Sequence, residues 1–70
     1  MRDVGDLAPG TRVLVVCSHD EIQARATVLR LMPVACQCGG PVYRLRINDG
    51  PAIPKGFIGD FCSDAIRWPN

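Results

Sequence analysis

The segment Val42-Tyr43-Arg44-Leu45-Arg46-Ile47 alternates apolar and polar residues without a break. Tyr43, Leu45 and Ile47 share one side, and Arg44 and Arg46 share the other. A period of two is the geometry of a half-buried strand, because successive side chains of an extended chain point to opposite faces. Two more stretches, Thr11 to Cys17 and Ile22 to Leu31, alternate in the same way, and Ile66-Arg67-Trp68 closes the chain with a short extended segment. In 70 residues, this pattern predicts an all-β fold: a small twisted barrel of about five antiparallel strands, with a basic outer face.

The length sets a limit on how such a sheet is stabilised. A domain of this size buries only about 60% of the surface its unfolded chain exposes. Metals, disulfides and self-association therefore enter as possible supplements. The chain is 47% hydrophobic and 21% charged, which excludes the disordered class. A net charge of +1 gives no general attraction to nucleic acid or anionic membrane. Met1-Arg2-Asp3-Val4-Gly5-Asp6 lacks the apolar run of a secretory signal. The longest apolar run, Val13 to Cys17, falls far short of the roughly 20 residues of a membrane helix. These features predict a single cytoplasmic domain, residues 1–70, with reduced thiols and no membrane partner.

Residues 1–10 read as a flexible lead-in ending in the Pro9-Gly10 turn, with the barrel over residues 11–69. In the first strand Val13, Val15 and Cys17 point one way, and Arg12, Leu14 and Val16 the other. In the second, Ile22, Ala24, Ala26 and Val28 alternate with Gln23, Arg25 and Thr27, and the phase slips at Val28-Leu29, which predicts a bulge. Residues 20–32 also admit a helix: Ser18-His19-Asp20-Glu21 matches a capping box, Pro33 would stop the helix, and the residues between are good helix formers. Met32 to Pro41 reads as a loop, Asn48-Asp49-Gly50-Pro51 and Pro54-Lys55-Gly56 as turns, and Phe57 to Cys62 as a strand with a possible bend at Gly59. Ser63-Asp64-Ala65 predicts one 3₁₀ turn capped by the Ser63 hydroxyl. The expected core is Val13, Val15, Cys17, Ile22, Ala24, Ala26, Val28, Tyr43, Leu45, Ile47, Phe61 and Ile66.

This layout resembles the Src-homology-3-like small barrels over roughly residues 10–69. Gly10-Thr11-Arg12-Val13 is similar to the opening of many free-standing bacterial members, and Phe61-Cys62-Ser63-Asp64-Ala65-Ile66-Arg67 to their closing turn and strand. The resemblance implies a small bacterial or mobile-element protein. Among chains of this length, the plasmid-borne type II dihydrofolate reductases look similar in layout. They are barrels that act as homotetramers around a pore and carry a Val-Gln-Ile-Tyr motif. The matching stretch here is Ile58-Gly59-Asp60-Phe61, followed by Ala65-Ile66-Arg67. Gly59, Asp60 and Phe61 stand where that motif has Gln, Ile and Tyr, and Leu14-Val15-Val16 lacks the pore lysine. The catalytic residues are absent, so reductase activity does not follow from the layout.

Three constellations remain. Cys36 and Cys38, with Cys17 or His19, are candidate zinc ligands, since thiolates and imidazole suit a tetrahedral structural site. The C-x-C spacing departs from the usual C-x-x-C knuckle, and four free thiols without any cofactor are the alternative, with Cys17 and Cys62 buried as small apolar residues. Arg25, Arg30, Arg44, Arg46 and Arg67 gather on one face if the second and third strands pair, with Trp68 as an exposed aromatic beside them, while the acids sit in turns and ends. Arginine forks recognise carboxylate and phosphate. A solvated face, an acidic protein partner and a nucleic acid are the three readings. Leu14 and Val16 share a face with Arg12 and require cover by the chain itself, by a second copy or by a partner. His19-Asp20-Glu21 reads as a solvated turn, and no catalytic constellation emerges. The expectation is a non-enzymatic interaction module that binds a protein or itself. Nucleic-acid binding through the arginine face and a zinc-stabilised domain are the alternatives, with a reductase-like oligomeric barrel last.

Overall fold

Five strands, β1 (Arg12–Val16), β2 (Ile22–Ala35), β3 (Pro41–Asp49), β4 (Ile58–Cys62) and β5 (Ile66–Arg67), form one antiparallel sheet, and a 3₁₀ turn at Ser63–Ala65 leads into the last of them. The computed structural model describes residues 7–37 and 39–69. The strand order is β4-β3-β2-β1-β5, so β2 is the central element.

β2 is a strand of 14 residues, and the helical alternative for residues 20–32 is set aside. The cause is pairing on both sides. Ala24 and Ala26 lie opposite Val15 and Val13 of β1, while Ala26 and Val28 lie opposite Ile47 and Leu45 of β3. Two ladders and complete burial of Ala24 and Ala26 outweigh helix propensities of a few tenths of a kcal/mol per residue. The apparent capping box forms the β1–β2 turn instead. The Cys17 amide donates to Glu21 O at 3.0 Å and the Asp20 amide to Cys17 O at 3.0 Å, with Asp20 in the left-handed region at φ 62°.

Besides the register shift that leaves Asn48 extra between the Ala26–Ile47 and Arg25–Asp49 pairs, two bulges set which side chains face inward. At the first, Val28 pairs with Leu45 and Arg30 with Arg44, so Leu29 is the extra residue, where the alternation slips. The second was not foreseen. Val15 pairs with Ala24 but Val16 with Ile22, leaving Gln23 extra. That single residue reverses the phase of the strand end. Ile22, expected in the core, lies opposite Val16 on the outer side and is 51% exposed, while Val16, expected on that side, stays outside the core cluster and at 6% exposure is covered by the chain itself. Cys17, also expected in the core, lies just past β1 and is half-buried.

The core gathers Val13, Val15, Ala24, Ala26, Val28, Tyr43, Leu45, Ile47 and Ile66. Leu7, from the expected lead-in, joins it, and Ile53, Phe61 and Trp68 pack at its margin. The expectations for residues 1–6 lie outside the described residues. The loop placed at Met32 to Pro41 is shorter than expected: β2 runs on to Ala35, and a turn closes where the Cys36 amide donates to Gly40 O at 2.9 Å and the Gly39 amide to Cys36 O at 2.8 Å. β4 passes straight through Gly59, which lies opposite Leu45. The Phe57 ring occupies the space of the missing side chain, 2.7 Å from where a Cβ would stand. Ser63 is buried as the first residue of the 3₁₀ turn; Cys62 holds the cap position, with no side-chain cap bond. No helix among the described residues is long and apolar enough to cross a membrane.

Candidate functional site

The strand register places the outer side chains in three rows. Arg12, Thr27, Arg46 and Ile58 are successive neighbours across β1, β2, β3 and β4. Arg67, Leu14, Arg25 and Asp49 form the second row, across β5, β1, β2 and β3. Arg30, Arg44 and Asp60 form the third. Most of these positions alternate with core residues, and the extra residues Leu29 and Asn48 bring Arg30 and Asp49 into line with them, so all three rows lie on the face turned away from the core. Six of the chain's seven arginines therefore share one face.

The five arginines read from the sequence, Arg25, Arg30, Arg44, Arg46 and Arg67, are all on it. Arg12 was missed, although its alternation with Val13 places it there once β1 is paired with β2. Trp68 is not on it: the ring packs against the core cluster, which corrects the expected exposed aromatic. Tyr43 is buried, and Phe57 and Phe61 occupy the side of β4 that Gly59 occupies, opposite to Ile58 and Asp60. Among the described residues, the arginine face carries no aromatic ring.

The acids are not segregated from this face as expected. Asp49 ends β3 beside Arg25, and Arg25 Nε meets Asp49 Oδ1 at 2.9 Å. Asp60 lies opposite Arg44, which donates from Nε to Oδ1 at 2.9 Å and from Nη2 to Oδ2 at 3.4 Å. Asp20, held in the β1–β2 turn, takes Arg67 Nη2 at 3.0 Å, and Arg67 Nη1 also donates to the Asp64 carbonyl at 2.7 Å. The hydrogen bond from Arg44 holds the Asp60 carboxyl below its ordinary value. The fields of Arg44 and Arg30 add to this and partial desolvation opposes it. Arg44 is raised by the same contact.

Arg12, Arg30 and Arg46 have no carboxylate within ion-pair distance among the described residues. Among the described residues, six arginines against three aspartates leave this face with three positive charges in excess, although the chain as a whole carries only +1. A shallow groove of about 630 Å³ runs along it, lined by Arg12, Leu14, Arg25, Thr27, Arg46, Asn48, Asp49 and Pro69. On its floor Asn48 Nδ2 donates to Thr27 Oγ1 at 2.8 Å, which leaves the Thr27 proton able to donate. A second hollow of about 400 Å³ adjoins it and is lined by Leu14, Ile22, Ala24, Arg25, Asp49, Gly50, Pro51 and Pro69. The Ile22 and Leu14 side chains thus form an apolar wall beside the basic groove.

Cys17, Cys36 and Cys62 do not converge into a metal site among the described residues. Cys17 lies in the β1–β2 turn, where its sulfur accepts the His19 amide at 3.4 Å, Cys36 is in the β2–β3 turn, and Cys62 ends β4. The described residues contain no group of three or more His, Cys, Asp and Glu side chains able to hold a metal; Cys38 lies outside them. His19, Asp20 and Glu21 are exposed turn residues, and Asp20 is engaged by Arg67.

No protein-family model, curated protein or solved structure matches the chain.

Proposed function

We propose that the protein is a non-enzymatic interaction module that takes an acidic protein partner on the outer face of its sheet. The observation that carries this reading is the set Arg12, Arg30 and Arg46: three guanidinium groups on one rigid face, each without a carboxylate partner among the described residues. Guanidinium is weakly hydrated and its fork matches a carboxylate in geometry, so such groups are apt for interface ion pairs. The strands fix the spacing of the three before a partner arrives, which limits the ordering cost of binding.

Nucleic acid is the second reading, favoured by the same charge excess. It is weakened by the lack of an aromatic on this face, since single-strand binding draws much of its energy from base stacking on rings. Retention on immobilised poly-L-glutamate and on immobilised oligothymidylate, compared at low salt, separates the two. The expected result is retention on poly-glutamate that is abolished in the Arg12→Glu/Arg30→Glu/Arg46→Glu variant. Retention on the oligonucleotide alone transfers the face to the second reading, and retention on neither removes both.

A further inference from the structure

The basic groove and the apolar hollow are contiguous. Both are bounded by Leu14, Arg25, Asp49 and Pro69. The groove lies over the row Arg12, Thr27, Arg46, and the hollow lies over the next row, that of Leu14 and Arg25. The two rows are two residues apart along β1, or about 6.6 Å at the usual strand rise. An extended peptide places its side chains i and i+2 on one face at that same spacing. The floor of the groove is also specific. Arg12 and Arg46 stand on either side of Thr27, two strand spacings or about 10 Å apart at the backbone, and all three residues line the groove. A carboxylate seated there receives two guanidinium groups and the Thr27 hydroxyl proton, whose oxygen is already held by Asn48. Ile22, 51% exposed, is turned toward the hollow by the Gln23 bulge.

We infer that the recognised element is an extended segment of the partner with an acidic side chain followed two residues later by a large apolar one. The carboxylate occupies the Arg12–Thr27–Arg46 clamp and the apolar side chain fills the hollow against Leu14, Ile22 and Pro69. This rests on the reading of the face as a surface for an acidic protein.

The test uses three blocked pentapeptides, Gly-Glu-Ser-Leu-Gly, Gly-Glu-Ser-Ser-Gly and Gly-Gln-Ser-Leu-Gly, titrated into the isotope-labelled protein by NMR. The Glu/Leu peptide is expected to bind about tenfold more tightly than the Glu/Ser peptide, the factor given by partial burial of one leucine. It should shift the amides of Leu14 and Ile22 as well as those of Arg12 and Arg46. The Gln/Leu peptide is expected not to bind. Ile22→Asn should remove the preference for leucine. Equal affinities for the Glu/Leu and Glu/Ser peptides overturn the apolar subsite and leave the acidic-partner reading standing. Equal affinities for the Glu and Gln peptides overturn the clamp. Absence of binding by either Glu peptide, together with loss of poly-glutamate retention, overturns both the inference and the reading beneath it.

Discussion

Arg30 and Arg44 face each other directly across the β2–β3 ladder, and Asp60 stands on the far side of Arg44. Like charges at directly opposed positions of a sheet are destabilising. Asp60 offsets that repulsion, binding Arg44 through both carboxylate oxygens while the field of Arg30 also reaches it. Because its carboxyl is held below the ordinary value in the folded state, the contribution of Asp60 is present above the unfolded-state pKa and is lost as pH falls through the folded-state one. Asp60→Asn is expected to lower the urea midpoint at neutral pH, and the gap to the parent protein should close as the solution is acidified. Urea titrations across the acid range check this; a gap independent of pH contradicts it. The effect should also shrink with added salt, since both partners are accessible to solvent.

The same aspartates restrain the binding face. Asp49 and Asp60 each neutralise one arginine that would otherwise be available to an anionic partner. Asp49→Asn and Asp60→Asn should therefore elute from poly-glutamate at higher salt than the parent. Arg12→Glu and Arg46→Glu should elute at lower salt. Arg67→Glu should have a smaller effect than either, because Arg67 is already occupied by Asp20 and the Asp64 carbonyl. Elution salt concentrations on one column give the whole order.

Gly50 is required by close approach rather than by composition. A Cβ at this position would lie 2.3 Å from the Ala24 Cα and 2.7 Å from the Gln23 carbonyl oxygen, both backbone atoms of the central strand. Neither can rotate away, so Gly50→Ala must separate the β3–β4 connection from β2. The expected cost is about 1–3 kcal/mol, the range for overpacking. Gly56→Ala is the control: it meets no atom within 4 Å, but its φ of 88° lies in the left-handed region, so its cost should be nearer ~1 kcal/mol. Chemical denaturation of the two variants measures both.

The strands were legible in the sequence because burial on one face imposes a period of two, and β3 shows this without interruption from Val42 to Ile47. The bulge at Leu29 was legible too, since it interrupts an alternation that resumes on the other side. The bulge at Gln23 was not. Gln23 sits at the start of β2, where no earlier residues reveal a break in phase, and the reading of Ile22 failed with it. For the site, alternation alone placed Arg44, Arg46 and Arg25 on one face. It could not show which arginines the acids would reach. That depends on the β1–β2 turn carrying Asp20 to Arg67 and on the β3–β4 register setting Asp60 beside Arg44, neither of which a single strand pattern encodes. Arg12 entered only through the pairing of β1 with β2.

The Gln23 bulge turns Ile22 out of the core, and the same substitution at Ile22 and at its cross-strand partner Val16 tests it. The uninterrupted alternation puts Ile22 inside; in the observed register Ile22 lies opposite Val16 and is 51% exposed, whereas Val16 is covered and 6% exposed. Ile22→Ser should then change stability by no more than about 0.5 kcal/mol, as is usual for exposed positions. Val16→Ser should cost about 1–3 kcal/mol, since it removes buried apolar surface and introduces a hydroxyl there. The whole stability of a domain this size is roughly 4–10 kcal/mol at 0.05–0.15 kcal/mol per residue, so the Val16 variant should show a clearly lower urea midpoint and the Ile22 variant nearly none. Leu45→Ala sets the scale, because Leu45 is fully buried at the centre of the core and its truncation should cost about 2–5 kcal/mol. The reverse order of the two serine variants would mean that β1 and β2 pair without the bulge, which would turn Ile22 away from the hollow beside Leu14 and Pro69.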